Sequence, residues 1–151
     1  MPGLGSIYAG DEGVNQRPLA GVDDDGSAEA RSDCQRVLIV DDQRLIADSL
    51  AEILGNEGFQ AMAAYDGWEA LEIARRFHPD WLVSDVLMPR MNGVDLAIAF
   101  RTSYPATAIL LFSGQAGISE ILEDGKRRGY EFELIAKPVH PLRIIERLRE
   151  M

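Results

Sequence analysis

The chain has 151 residues, 46% of them hydrophobic and 26% charged, with a net charge of -10, which favours one domain with a packed core. A field of that sign disfavours nucleic acid and anionic lipid as direct partners. No apolar run approaches the roughly 18 residues of a membrane span, and the single cysteine, Cys34, excludes an internal disulfide and suggests no metal cluster.

The first 34 residues stand apart. They hold six of the 14 glycines and the acidic run Asp23-Asp24-Asp25, and seven acids outweigh Arg17 and Arg31. A segment this poor in apolar periodicity cannot offset its ordering entropy, so residues 1–34 are predicted to be a disordered, acidic, glycine-rich tail. A solvated tail or a misassigned start is preferred over a docking arm. The start lacks the basic and apolar regions of a secretion signal, and together with the single cysteine and the lack of a membrane span this fits the expectation of a cytoplasmic protein.

From Arg36 onward the pattern is regular. Residues 37–40 form a short apolar run ending at Asp41-Asp42, the mark of a strand buried on both faces. Residues 43–56 carry Ile46, Leu50, Ile53 and Leu54 at helical spacing, with Gly55 and Gly58 as stop signals. Residues 59–64 are a weaker strand, and Asp66-Gly67 is a turn. A second helix carries Ala70, Leu71, Ala74 and Phe77 and stops before Pro79. Residues 81–84 are a third strand ending at Asp85, and residues 94–103 a third helix. Residues 108–112 are a fourth strand ending at Ser113-Gly114, and residues 118–128 a fourth helix. Residues 132–136 are a fifth strand ending at Lys137-Pro138, followed by a helix with Pro141 at its first position. Five strands alternating with five helices predict a doubly wound parallel α/β sheet with helices on both faces. Only one residue follows the last helix, so no output domain is expected.

The residues just past the strands carry the chemistry. Asp41 and Asp42, Asp85, Ser113 and Lys137 follow four different strands. In a parallel sheet these ends share one edge, where ligands of open α/β sheets bind. Three crowded carboxylates repel unless a cation sits among them, and a hard, oxygen-seeking ion such as Mg²⁺ suits them. Lys137 is one of only two lysines among 15 basic residues; its ammonium can pair with a carboxylate and then with a phosphoryl oxygen. Ser113 offers a donor. Positioning and charge neutralisation are what phosphoryl transfer needs, and a carboxylate can be its nucleophile. Taken singly, each residue has a commoner structural role as a cap or a turn. Their convergence on one edge favours the chemical reading.

Residues 37–42 (VLIVDD), 84–93 (SDVLMPRMNG), 111–114 (LFSG) and 136–138 (AKP), together with DGWEAL at 66–71, resemble the motifs of bacterial response-regulator receiver domains across residues 35–151. The resemblance implies a flavodoxin-like fold with strand order 2-1-3-4-5. It makes Asp85 the acceptor of a phosphoryl group from a phosphohistidine of a sensor histidine kinase or phosphotransfer protein. Asp42 would hold Mg²⁺ directly and Asp41 through water, with Asp85 and the Leu87 carbonyl as further ligands. Lys137 would contact the phosphoryl group, ahead of a cis Lys137–Pro138 bond. Ser113 would move toward phosphorylated Asp85, and the helix after Asp42 would be the kinase-docking face. The protein would be a single-domain regulator, not an enzyme, acting through contacts with an unknown downstream protein.

One position departs from the family pattern. Leu134 stands where Tyr, Phe or His usually partners the Ser/Thr switch, which removes the usual route of read-out; Tyr130 and Phe132 are the nearby aromatics. Gly114 stands where many members have Ala and leaves more room beside the site. Leu87 and Gln115 occupy positions that tune dephosphorylation, and the apolar Leu87 predicts moderately slow self-hydrolysis. His78 reads as a surface residue, His140 as a helix N-cap, Trp81 as packing, and Lys126-Arg127-Arg128 as a solvated helix end. The competing readings are an interaction module independent of phosphorylation and a metal-dependent phosphohydrolase, the latter weakened by the lack of a separate general acid or arginine cluster.

Overall fold

The computed structural model describes residues 34–114, 118–138 and 140–150. The expectations for residues 1–33 and for Gln115 lie outside them. In chain order the elements are β1 (Arg36–Val40), α1 (Arg44–Asn56), β2 (Gln60–Ala64), α2 (Gly67–Phe77), β3 (Trp81–Asp85), α3 (Gly93–Ser103), β4 (Ala108–Ser113), α4 (Ser119–Arg127), β5 (Glu133–Ala136) and α5 (Pro141–Arg149). The strands form one five-stranded sheet in the order β2-β1-β3-β4-β5, with every pair parallel.

The alternation of strand side chains builds two cores. Leu38, Val40, Leu82 and Leu111 face Ala70, Ala74, Leu96, Ala97 and Phe100 of α2 and α3. Val37, Ile39, Val83, Leu110 and Phe112 face Leu50 and Leu54 of α1 and Ile144, Ile145 and Leu148 of α5. The central strands are therefore apolar on both sides, as their unbroken hydrophobic runs require. Burying one such side chain contributes roughly 1.5–3 kcal/mol.

Local chemistry fixes the helix starts. The Glu69 backbone N–H donates to Asp66 Oδ1 at 2.7 Å, and the Tyr65 N–H donates to Glu69 Oε1 at 2.8 Å. The Asp95 N–H donates to Asn92 Oδ1 at 2.8 Å, and the Leu142 N–H donates to His140 Nδ1 at 3.1 Å, so His140 is the N-cap expected. His78 ends α2 in the left-handed conformation at φ 51 and is exposed. Trp81 is fully packed in the core.

The differences from the sequence reading fall at element ends. Gln43 caps α1 instead of opening it. Strand β5 begins at Glu133, because Phe132 stacks on Tyr130 with ring centroids 6.1 Å apart and packs against the α2–α3 core. Helix α4 stops at Arg127, where Arg128 and Gly129 close back on the last turn. Its basic end is tied to acids: Arg128 reaches Asp95 at 2.9 Å and Asp124 at 2.8 Å, and Lys126 reaches Glu131 at 3.8 Å. Among the described residues no helix is long and apolar enough to cross a membrane.

Candidate functional site

Each of the candidate side chains follows, or ends, a strand on the carboxyl edge of the sheet. β1 delivers Asp41 and Asp42, β3 ends at Asp85, β4 ends at Ser113, and β5 is followed by Lys137. Because β1, β3 and β4 are neighbours and β5 lies beside β4, the five residues gather at one place. Asp41, Asp85 and Ser113 are buried while Asp42 is exposed. Asp41, Asp42 and Asp85 each offer a carboxylate oxygen within 4.8 Å of the others. Lys137 Nζ lies 3.6 Å from Asp85 Oδ2 and 3.8 Å from Asp41 Oδ2.

The surrounding backbone holds these groups in register. The Lys137 N–H donates to the Ser113 carbonyl at 2.9 Å, and the Val86 N–H donates to the Phe112 carbonyl at 3.1 Å. The Gln43 N–H donates to Asp41 Oδ1 at 3.0 Å. The Lys137–Pro138 bond is cis, as the resemblance implied. Gly93 brings the start of α3 against the end of β3: its N–H donates to the Val86 carbonyl at 2.8 Å, and a Cβ there would collide with the backbone of Asp85 and Val86. The room expected at Gly114 is taken up by Lys137. A Cβ on Gly114 would lie 2.6 Å from Lys137 Cβ. Beyond that contact a cleft of about 470 Å³ opens between Gly114, Lys137, Ile46, Leu50 and Ile144.

The electrostatics set three carboxylates against one ammonium. Burial pushes the Asp85 carboxyl above its ordinary value, with Lys137 pulling it down and Asp41 and Asp42 pushing it up. Burial likewise raises Asp41, against the Gln43 N–H and Lys137. Among the described residues the buried Asp41 Oδ2 accepts no hydrogen bond, an expensive condition for a carboxylate oxygen. A hard cation coordinated by oxygen relieves both the repulsion and the orphaned atom, so the donor set fits a divalent ion of the Mg²⁺ type. Leu87 is 38% exposed, and its backbone N–H pulls the Asp85 carboxyl down.

Leu134 pairs with Leu111 across β4 and β5. It lines a separate cleft of about 320 Å³ with Val94, Leu122, Tyr130 and Phe132. The aromatic pair thus borders the space beside Leu134 without occupying its position. Three contacts around the site are not written in any motif. Arg90, at φ 69, pairs with Asp66 Oδ2 at 3.2 Å, tying the loop after Asp85 to the start of α2. Arg44 stacks over the Tyr65 ring at 4.1 Å, and the Tyr65 hydroxyl donates to Asp48 at 2.6 Å.

Comparison with known proteins agrees with the fold. Residues 37–149 match the response regulator receiver domain family. The DNA-binding response regulator MtrA of Mycobacterium tuberculosis is 31% identical over 115 residues, 76% of this chain and 49% of that protein. The response regulator MprA of Mycobacterium leprae is 39% identical over 85 residues, 56% of this chain and 37% of that protein. The chain thus spans about half the length, or less, of these curated relatives. Among solved structures, the chemotaxis protein CheY4 of Vibrio cholerae superposes with a TM-score of 0.68 at 30% identity, covering 78% of this chain and 98% of that one. The receiver domain of NtrX from Brucella abortus does so with a TM-score of 0.64 at 28% identity, covering 76% and 95%. The chain belongs to the response regulator receiver domain family.

Proposed function

We propose that Asp85 accepts a phosphoryl group from the phosphohistidine of a sensor histidine kinase or phosphotransfer protein. The observation that carries this reading is the cluster of three carboxylates within 4.8 Å, with Lys137 3.6 Å from Asp85. An Asp85 carboxylate oxygen attacks phosphorus, the new O–P bond forms, and the N–P bond of the donor breaks. The bonding pair goes to the imidazole nitrogen, and a proton on the ring's other nitrogen lets the imidazole leave neutral. Asp41, Asp42, Asp85 and the Leu87 carbonyl are the proposed holders of Mg²⁺, which neutralises carboxylate and phosphoryl oxygens when bound. Lys137 then contacts the phosphoryl group, and Ser113, at the neighbouring strand end, donates to another of its oxygens.

In this reading the domain is a signalling component of the cytoplasm and not an enzyme. Its product is its own acyl phosphate, passed on or read through contacts with a downstream protein. Direct contact with nucleic acid is disfavoured by a net charge of -10. The apolar Leu87 side chain orients no water, which supports moderately slow self-hydrolysis.

The test is incubation with acetyl phosphate and Mg²⁺ under intact-mass detection. The expected result is a gain of about 80 Da that chelation or Asp85→Asn abolishes. Absence of the gain with small donors and with kinases alike refutes the reading. Leu134 favours a second reading, an interaction module that does not respond to phosphorylation. Partner binding that Asp85→Asn leaves intact selects that alternative.

A further inference from the structure

Six large hydrophobic side chains are exposed among the described residues: Leu45, Met62, Trp68, Leu87, Leu134 and Leu142. Four of them sit on the edge that carries the carboxylates. Leu45, Trp68 and Leu142 lie in the first turns of α1, α2 and α5, and Leu87 lies two residues past Asp85. Single exposed apolar residues are ordinary. A ring of them around a buried reactive group is not, and Trp68 is the largest, at 63% exposure.

Trp68 is also tied to the reactive loop. It follows Asp66, which holds Arg90 at 3.2 Å, and Gly67, whose missing side chain is replaced by the packed Met91. Arg90 and Met91 belong to the segment that runs from Asp85 to α3. Nearby, Arg44 lies over Tyr65 at 4.1 Å, and among the described residues no acid forms an ion pair with it.

We infer that the phosphohistidine-bearing donor protein docks over this edge with Trp68 as its anchor on the α2 side. The inference rests on Asp85 being the phospho-acceptor. The Asp85 side chain is only 9% exposed, so a donor phosphorus reaches it only along the carboxyl edge. A protein donor covers about 800 Å² of its partner, a disc of roughly 16 Å radius. Strands stand about 4.8 Å apart. β2 is two strands from β3, so the start of α2 lies roughly 10 Å to the side, within that disc. A solvent-exposed indole there is buried by the donor, and tryptophan is the side chain most often found as an interface anchor. The matching donor surface is an apolar helical face that receives the indole beside its phosphohistidine, with a carboxylate placed for Arg44.

The test compares two donors. Wild-type chain and Trp68→Ala are each labelled with acetyl phosphate and with a panel of purified, phosphorylated sensor-kinase transmitter domains from the organism that carries the chain. The expected result is equal labelling by acetyl phosphate and a loss of about tenfold or more in kcat/KM for the kinase that labels wild type. A Trp81→Phe variant leaves Trp68 as the only indole; its emission shifts to the blue when that kinase binds. Unchanged kinase-dependent transfer in Trp68→Ala, or emission unmoved by the bound kinase, overturns the inference. So does labelling by acetyl phosphate with none by any kinase. Failure of acetyl phosphate and kinases alike to label wild type overturns instead the reading of Asp85 on which it rests.

Discussion

Replacing Asp85 by Asn should make the metal-free domain more stable at neutral pH. With an effective dielectric constant of about 20, two carboxylate oxygens at 4.8 Å, the upper limit of their separation here, repel by roughly 3.5 kcal/mol. The Lys137–Asp85 pair at 3.6 Å attracts by roughly 4.6 kcal/mol on the same scale. Asp85→Asn removes two repulsions and one attraction, a net relief of roughly 2 kcal/mol. Relief of burial adds to this, while the exposure of Asp42 and the partial exposure of Lys137 subtract. A gain of about 1–2 kcal/mol, or about 4–8 °C in Tm, is the expected outcome in chelator at pH 7. The pH dependence has a definite sign. Burial holds the Asp85 pKa above its ordinary 3.8 in the folded state, so the folded protein binds the extra proton. The cost of the charge is absent below the ordinary value and complete once pH has risen through the raised one. The Tm gap between variant and wild type should therefore close as pH falls through that window. Mg²⁺ should raise the wild-type Tm more than that of the variant, which has lost a ligand. Thermal unfolding followed by circular dichroism measures all three. A variant less stable than wild type at pH 7, or a gap that widens on acidification, refutes the electrostatic account.

Gly93→Ala sets a methyl group against the backbone of Asp85 and Val86; denaturant titration should show a loss of about 1–3 kcal/mol or more. Asp66→Ala removes the α2 N-cap and the Arg90 pair, for a loss of about 0.5–2 kcal/mol in the same assay. The Tyr65 phenol is pushed up to about 12, first by its hydrogen bond to Asp48. Ultraviolet titration of Asp48→Ala should return one tyrosine toward the ordinary value of 10.0.

The fold was legible because its strands are buried on both faces. An unbroken run such as Val37–Val40, ended by Asp41, cannot sit half in water, and parallel pairing then forces every strand end onto one edge. The candidate site followed from that geometry and needed no tertiary detail. What stayed hidden depends on long-range approach. Nothing in the sequence of Arg90 reveals that it turns back at φ 69 to meet Asp66. The missing side chain of Gly114 was visible, but not that the Lys137 chain would fill its place. Lys126 and Arg128 read as solvated charges because Glu131 and Asp95 become their partners only after α4 and α3 are packed. Phe132 has strand propensity, yet its stacking on Tyr130 outweighs it.

Formation of the acyl phosphate on Asp85 is open to direct test by reduction of that bond. After treatment with acetyl phosphate and Mg²⁺, borohydride converts a phosphorylated aspartate to homoserine, which tandem mass spectrometry locates. Phosphorylation of Asp85 gives homoserine at position 85 alone, and none in chelator. Homoserine at position 41 or 42, or at no aspartate of the domain, contradicts it.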